Sequence, residues 1–176
     1  MPSSNPDQIS RIMGIILRDK PGSVLDIGIG FGKYGFLCRE YLELWDGREV
    51  YHEWKRRIDG IEVFKDYITP LQDMIYDRIY VGNALDVLPN LTFTYDLILL
   101  IDVLEHFIED EGYRLLHECR SKGRKILVST PKNIRTQGAA FGNDHETHRF
   151  QWQPDKLESL DMDIVEHPSK YIFYSK

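Results

Sequence analysis

The sequence predicts an α/β domain, a doubly wound three-layer sandwich in which helices cover both faces of a mostly parallel sheet. Between residues 24 and 131, apolar runs of strand length alternate with stretches of helical spacing, which is typical of such sheets. The run at 95–101 is apolar without alternation, as expected for a strand buried on both faces. The 176 residues suit one core, so we expect residues 1–176 to form a single domain.

The composition is that of an ordinary globular protein with an acidic balance. The formal net charge of −6 argues against a broad surface for nucleic-acid phosphates. Neither Cys38 nor Cys119 has a neighbouring cysteine for a disulfide framework or a zinc site. The N-terminus lacks a signal-peptide pattern, and the longest apolar run, 97–101, is too short to span a membrane. We therefore expect a cytoplasmic protein without a nucleic-acid or membrane partner; a homodimer is left open.

The first predicted element is an N-terminal helix at residues 5–19. Asn5 suits the cap and Pro6 the first turn. Apolar residues then recur at helical spacing as far as Leu17. Lys20-Pro21-Gly22 ends the helix.

The remaining elements follow from the same periodicities, with the last strands pairing as an antiparallel hairpin. The predicted strands are residues 24–27, 58–63, 78–81, 95–101, 126–130, 163–166 and 171–174. The predicted helices are residues 34–45, 65–76 and 86–89, one through 113–119, and 154–160. The polar stretch at 46–57 is longer than a tight connection needs, so we interpret it as a surface insertion.

Polar residues and glycines stand at the carboxyl ends of the predicted strands, the edge at which open α/β sheets bind ligands. The polar residues are Asp26, Glu62, Asn83 and Asp102. The glycines between the first strand and its helix are Gly28, Gly30 and Gly32. Because glycine has no Cβ, a ligand can lie against the backbone there. The pattern predicts a site for a nucleoside-bearing cofactor.

The glycine spacing favours S-adenosylmethionine over a dinucleotide. The dinucleotide fingerprint requires glycine or alanine at position 33, where the chain has Lys33. A carboxylate at Asp26 would repel a pyrophosphate, whereas it suits a ligand that carries an ammonium and a sulfonium. A nicotinamide-dependent oxidoreductase stays open as the alternative.

Each strand end can be matched to a part of that cofactor. Glu62 would accept both ribose hydroxyls in a bidentate pair. Asn83 and Ala84 would reach the adenine edge, and Asp102 would lie near the methionine portion.

Four motifs, in this order along the chain, resemble those of class I S-adenosylmethionine-dependent methyltransferases. Residues 24–32 resemble the first motif, 60–62 the acidic second-strand motif, and 82–84 a Gly-Asp-Ala motif with Asn83 in place of aspartate. Residues 96–106 are similar to the fourth-strand motif of small-molecule, quinone-biosynthesis-type members. The resemblance implies a Rossmann-like fold and transfer of a methyl group to an oxygen or nitrogen of a small-molecule acceptor. A catalytically inactive S-adenosylmethionine-binding subunit and a macromolecule methyltransferase remain alternatives.

Three histidines are candidates for a catalytic base. They are His106, His145 and His148. His106 follows the fourth strand, and the others lie in the aperiodic segment 132–153, which we expect to form an acceptor site or lid. Phe141, Phe150 and Trp152 would wall the acceptor pocket. No metal site is expected, because the spacing shows no further ligand beside His145 and His148.

Overall fold

The computed structural model describes residues 3–45, 50–51, 53–157 and 160–175. Its strands are β1 (Ser23–Ile27), β2 (Arg57–Glu62), β3 (Arg78–Val81), β4 (Tyr95–Ile101), β5 (Gly123–Pro131), β6 (Met162–Val165) and β7 (Lys170–Ser175). Its α-helices are α1 (Ile9–Asp19), α2 (Lys33–Cys38), α3 (Pro70–Ile75), α4 (Ala84–Val87), α5 (Glu109–Lys122) and α6 (Pro154–Leu157). Within these ranges, no helix is both long enough and apolar enough to cross a membrane.

All seven strands form one sheet in the order β3-β2-β1-β4-β5-β7-β6. The first five pair in parallel, whereas β7 runs antiparallel to both β5 and β6. The predicted mostly parallel sheet with a C-terminal antiparallel hairpin is confirmed. The strand order reverses between β1 and β4, and such a reversal opens a crevice at the carboxyl edge of the sheet.

Two hydrophobic clusters cover the two faces of the sheet. Along β4, Ile98 and Leu100 belong to the cluster that contains α5, whereas Leu97 and Leu99 belong to the cluster that contains α1. Successive side chains of a strand point to opposite faces, so the apolar run without alternation is explained by burial on both sides. The three-layer arrangement predicted from the sequence is confirmed.

The helix predicted at 34–45 is shorter than expected. It is α-helical over α2 and continues as a π-helical turn at Arg39–Glu43. The wider turn brings Arg39 and Glu43 inward, and Arg39 Nε donates to the Ile75 carbonyl at 2.8 Å. Trp45, which the helical spacing placed on the apolar face, is instead 80% exposed.

The helix predicted at 65–76 is split. A 3-10 turn spans Lys65–Tyr67, and α3 begins only at Pro70. Thr69 caps α3 in a capping box with Gln72, and proline is favoured in the first turn because it lacks an N–H that would need a partner. These residues start a new helix rather than continue one.

Other boundaries shift by a few residues for local reasons. A 3-10 turn, Pro6–Gln8, precedes α1, and Asn5 Oδ1 accepts the Asp7 N–H at 3.1 Å, as the predicted cap requires. The predicted helix 86–89 starts earlier, as α4, because Asn83 caps it. Parts of the predicted insertion 46–57 and of the predicted helix 154–160 lie outside the described residues.

Candidate active site

A cavity of about 280 Å³ lies at the carboxyl edge of the sheet, where the sequence predicted the site. Most of the predicted cofactor residues line it: Asp26, Gly28, Gly30, Glu62, Asn83, Ala84 and Asp102. His106 and His145 line it as well. Gly32 and His148 are not among its lining residues.

The glycine turn after β1 has a backbone that other residues rarely adopt. Gly28 and Gly32 have φ angles of 73° and 87°, in the left-handed region that favours glycine. A Cβ on Gly28 would lie 2.6 Å from Val103 Cγ2, while one on Gly32 would meet Ile75 of α3 at 3.2 Å. The absence of a side chain at Gly28 therefore avoids a clash with Val103 in the cavity wall, and its absence at Gly32 lets the turn pack against α3.

Asp26 is buried beneath this turn. It is 4% exposed, and its Oδ2 accepts the Tyr76 hydroxyl at 2.7 Å. Burial raises the pKa of Asp26 to about 7, and the Tyr76 hydrogen bond opposes the rise. A cation placed in the cavity would favour the ionised carboxylate. Asp26 is thus poised to change its charge when a cationic ligand binds.

Glu62 connects the end of β2 to the glycine turn. One carboxylate oxygen accepts the Gly30 N–H and the other accepts the Phe64 N–H, both at 2.9 Å. Gln72 Nε2 donates to the Gly30 carbonyl at 2.9 Å, so both the N–H and the carbonyl of Gly30 are hydrogen-bonded to side chains. Burial raises the pKa of Glu62, and the two backbone donors oppose that rise. Each oxygen keeps a second lone pair for a ligand that lies in the cavity.

Asn83 and Ala84 mark the start of α4 at the end of β3. Asn83 Oδ1 accepts the Leu85 N–H at 3.0 Å, which is a helix cap. This bond uses one lone pair of the side-chain oxygen, so Asn83 can offer a ligand its NH₂ group as well as the second lone pair of Oδ1.

Asp102 occupies a strained backbone position after β4, with φ 55°. Its Oδ2 accepts Lys170 Nζ at 2.7 Å and Gln8 Nε2 at 2.9 Å, and its Oδ1 accepts the Ser129 hydroxyl at 3.0 Å. The carboxylate thus ties the N-terminal segment, β5 and β7 together beside the cavity. Its predicted contact with a cofactor stays a prediction.

Lys33 and Tyr34, at the start of α2, are cavity residues that the sequence reasoning missed. Lys33 Nζ donates to the Ser4 carbonyl, and burial lowers its pKa while the Asp102 carboxylate opposes that shift. The Tyr34 hydroxyl is buried and has no hydrogen bond of standard geometry within the described ranges, although it interacts with Ser4. The sequence did contain a signal, since Lys33 directly follows the glycine turn. In the sequence analysis Lys33 counts only as a mismatch with the dinucleotide fingerprint.

The segment 132–153 supplies a second wall of the cavity, and its role as an acceptor site or lid stays a prediction. Asn143, His145, Glu146 and Arg149 line it. The segment is tied across the cavity by the Tyr67 hydroxyl, which donates to Glu146 Oε1 at 2.9 Å.

The expected aromatic wall is wrong, because none of its members lines the cavity. Trp152 is fully buried and donates from Nε1 to the Leu104 carbonyl at 3.0 Å. Its ring fits against α5 because Gly112 leaves room; a Cβ there would lie 2.2 Å from the ring. Phe150 packs on Trp152 with ring centroids 4.9 Å apart, and Phe141 is 65% exposed.

The structure separates the three candidate histidines into a pair and a single residue. His106 and His148 lie side by side, with ring centroids 5.1 Å apart. Burial lowers the pKa of His106, which favours its neutral form. His145 is exposed at the cavity wall, and its ring makes no hydrogen bond with the described residues.

Neither a family model nor a curated protein sequence matches this chain. Solved structures do match. An S-adenosylmethionine-dependent methyltransferase from Archaeoglobus fulgidus gives a TM-score of 0.67 at 19% identity, over 95% of this chain and 91% of that one. DhpI in complex with S-adenosylhomocysteine (SAH) gives 0.68 at 13% identity, over 96% of this chain and 85% of that one.

A third match is magnesium protoporphyrin IX methyltransferase (ChlM) from Synechocystis PCC 6803 with bound SAH. It gives a TM-score of 0.63 at 10% identity, over 95% of this chain and 80% of that chain. At such identities the likeness establishes the fold. This chain has the Rossmann-like α/β fold of S-adenosylmethionine-dependent methyltransferases.

Proposed function

We propose that the protein binds S-adenosylmethionine and transfers its methyl group to an oxygen or nitrogen of a small, polar acceptor. The observation that carries the proposal is the charge arrangement in one cavity. Asp26 and Glu62 lie beside the glycine turn, and Lys33 and the Tyr34 hydroxyl lie at the start of α2. Acidic groups and hydrogen-bond donors therefore face the same space, which suits a ligand that carries both an ammonium and a carboxylate.

The amino-acid end of S-adenosylmethionine fits these residues. The Tyr34 hydroxyl is a buried donor that has no hydrogen bond of standard geometry in the described part of the chain, and leaving such a donor unpaired costs about 1–3 kcal/mol. A ligand carboxylate held by Tyr34 and Lys33 would remove that cost. The ligand ammonium would face Asp26 and favour its ionised form.

The nucleoside end fits the next two strand ends. Glu62 keeps lone pairs for the ribose hydroxyls, and the Asn83 NH₂ can donate to a ring nitrogen of adenine. A dinucleotide fits less well, because its pyrophosphate would lie against the buried carboxylates of Asp26 and Glu62. The SAH bound in the DhpI and ChlM structures of the same fold supports this choice of cofactor.

When bound, S-adenosylmethionine supplies a methyl group already activated on a sulfonium. The chain then has to hold the acceptor in line and take its proton. Among the three candidate histidines we assign the proton acceptor to His145. It lines the cavity and its ring is free of hydrogen bonds to the described residues, whereas His106 and His148 face one another.

The cavity also favours a small acceptor. Its volume of about 280 Å³ is at the low end for ligand sites, so little room is left beside the cofactor. Glu111, His145 and Arg149 also line the cavity and would recognise polar groups. A macromolecular acceptor would need a docking surface, which the acidic balance does not favour for nucleic acid.

The proposal is tested by measuring SAH release from S-adenosylmethionine over a panel of small hydroxylated and amino acceptors. We expect release with at least one acceptor class, and lower turnover in His145→Ala with unchanged SAH affinity. His117→Ala, whose side chain is 83% exposed on α5, is the control. SAH binding without turnover of any acceptor would favour a regulatory subunit, and full activity of His145→Ala would remove it from the mechanism.

A further inference from the structure

Three residues with metal-binding side chains meet where the loop after β4 contacts the segment 132–153. They are Glu105, His106 and His148, and one donor atom from each lies within 4.8 Å of the others. The expectation of no metal site considered only His145 and His148. The fold instead pairs His148 with His106 and adds a carboxylate, so the missing ligands come from a distant part of the chain.

Hydrogen bonds fix how the two imidazoles can bind a ligand. His106 Nδ1 lies 3.2 Å from the Thr147 carbonyl, and His148 Nδ1 lies 2.9 Å from the Arg135 carbonyl. A carbonyl can only accept, so each Nδ1 carries the hydrogen and each Nε2 keeps its lone pair in the neutral ring. Histidines that bind metals commonly have this arrangement, in which the second nitrogen donates to a carbonyl or carboxylate.

Glu105 provides an independent sign of a missing partner. The residue is 1% exposed, and its Oε2 has no hydrogen bond of standard geometry within the described ranges, although the Thr130 hydroxyl interacts with the carboxyl. A buried acceptor in this state costs about 1–3 kcal/mol. A cation between Glu105 and the two imidazole nitrogens would satisfy that oxygen.

Backbone hydrogen bonds hold the two segments in register. The N–H groups of Arg149 and Phe150 donate to the Glu105 carbonyl at 2.8 and 3.3 Å, which joins the two segments. Within the segment 132–153, the His148 N–H donates to the Gln137 carbonyl at 3.0 Å. Donor atoms that share one ion at about 2.1 Å lie about 3 Å apart. The donors lie within 4.8 Å of one another, so they need to approach by at most about 2 Å, which side-chain rotation can supply.

We propose that Glu105, His106 and His148 bind one divalent transition-metal ion at the edge of the cavity. Two imidazoles and one carboxylate favour ions such as Mn²⁺, Fe²⁺, Co²⁺ or Zn²⁺ over Mg²⁺ and Ca²⁺, which prefer oxygen ligands. Three protein ligands leave coordination positions open. His106 lines the cavity, so those positions adjoin the acceptor space.

The role of the ion rests on the proposed function, whereas its binding does not. An ion at this place would hold an acceptor through an oxygen, which restricts the acceptor class to molecules with a hydroxyl or carboxylate next to the methylated atom. The assignment also leaves His145 as the proton acceptor, because the Nε2 lone pairs of the other two histidines are used by the ion.

The test is a titration of untagged, chelator-treated protein with Co²⁺, followed by its visible absorption and by calorimetry. We expect one ion per chain for the wild type and at least a tenfold loss of affinity in His148→Ala and Glu105→Gln, roughly 1.4 kcal/mol or more. His117→Ala and His145→Ala should bind like the wild type. Wild-type protein that binds no Co²⁺, or His148→Ala that binds it normally, would overturn the proposal.

Parallel measurements keep this result separate from the proposed function. Circular dichroism establishes that each variant is folded, and SAH affinity is measured on the same samples without metal. SAH binding without Co²⁺ binding would refute the metal site and leave the methyltransferase proposal standing. Co²⁺ binding that depends on His148, with no SAH binding, would support the metal site and contradict the proposed cofactor.

Discussion

Replacing Glu62 by glutamine should weaken SAH binding strongly. The carboxylate accepts the Gly30 and Phe64 N–H groups at 2.9 Å each, and it keeps lone pairs for the two ribose hydroxyls. Hydrogen bonds to a charged group contribute about 1.5–3 kcal/mol. Loss of that contribution corresponds to a rise in Kd of about 10- to 150-fold.

The same substitution perturbs the free protein, and this effect has to be separated from the effect on binding. Glutamine retains one acceptor oxygen, so one of the two backbone donors faces an NH₂ group. Burial already raises the pKa of Glu62, which means that the charge itself is disfavoured there and that a neutral side chain recovers part of the loss. We expect a modest decrease in melting temperature and a much larger decrease in SAH affinity.

The assay is calorimetric titration of SAH into wild type, Glu62→Gln and Asp66→Asn, well below the melting temperature of each. Asp66 is exposed in the turn that follows β2 and does not line the cavity, so Asp66→Asn removes the same charge without touching the site. Its affinity should equal that of the wild type. Folded Glu62→Gln that binds SAH with unchanged affinity would refute the ribose assignment.

The remaining predictions concern Asp26 in β1, Gly28 in the glycine turn and Gly14 in α1. Burial raises the pKa of Asp26 to about 7, and the ammonium of a bound ligand favours the ionised carboxylate. Asp26 should therefore release a proton when SAH binds. The affinity for SAH should rise with pH until about 7 and then level off. Calorimetry in buffers of different ionisation enthalpy measures how many protons are released when SAH binds. Asp26→Asn should abolish that release, and proton uptake by the wild type on binding would contradict the prediction. Gly28→Ala should lower stability by roughly 1–3 kcal/mol and impair SAH binding, because its Cβ would meet Val103 at 2.6 Å with φ at 73°. Gly14→Ala in α1, where a Cβ meets nothing within 4 Å, should instead raise the melting temperature.

The order of elements could be predicted because burial and turns produce recognisable patterns of apolar residues and glycines in the sequence. The run over β4 is apolar throughout since both faces are covered, and the glycines after β1 identify the turn. The carboxyl-edge location of the site followed from topology alone. The same reasoning placed Asp26, Glu62 and Asn83 at the cavity before their contacts were known.

Some errors came from local signals that were present and not used. A capping box of Thr69 and Gln72, with Pro70 in the first turn, predicts that a helix begins within the stretch 65–76. Others had no local signal. The π-helical turn at Arg39–Glu43 depends on hydrogen bonds from Arg39 to distant carbonyls, and periodicity cannot reveal them.

The surroundings of several predicted site residues depend on tertiary contacts that the sequence does not show. Trp152 belongs to the core because Gly112, forty residues earlier in the chain, leaves room for its ring. The pairing of His106 with His148 requires the backbone hydrogen bonds between Glu105 and the segment 132–153. A single sequence without these contacts shows the histidines and not their grouping.

A side-by-side calorimetric titration of the wild-type protein with SAH and with NAD tests the cofactor assignment. We expect saturable binding of SAH at one site per chain and none of NAD, because Asp26 and Glu62 line the space beside the glycine turn. Ligand binding should also stabilise the folded protein by mass action. At a hundredfold excess of ligand over Kd, the free energy of unfolding rises by about 2.7 kcal/mol, and the melting temperature rises with it. Saturable binding of NAD without binding of SAH would refute S-adenosylmethionine as the cofactor.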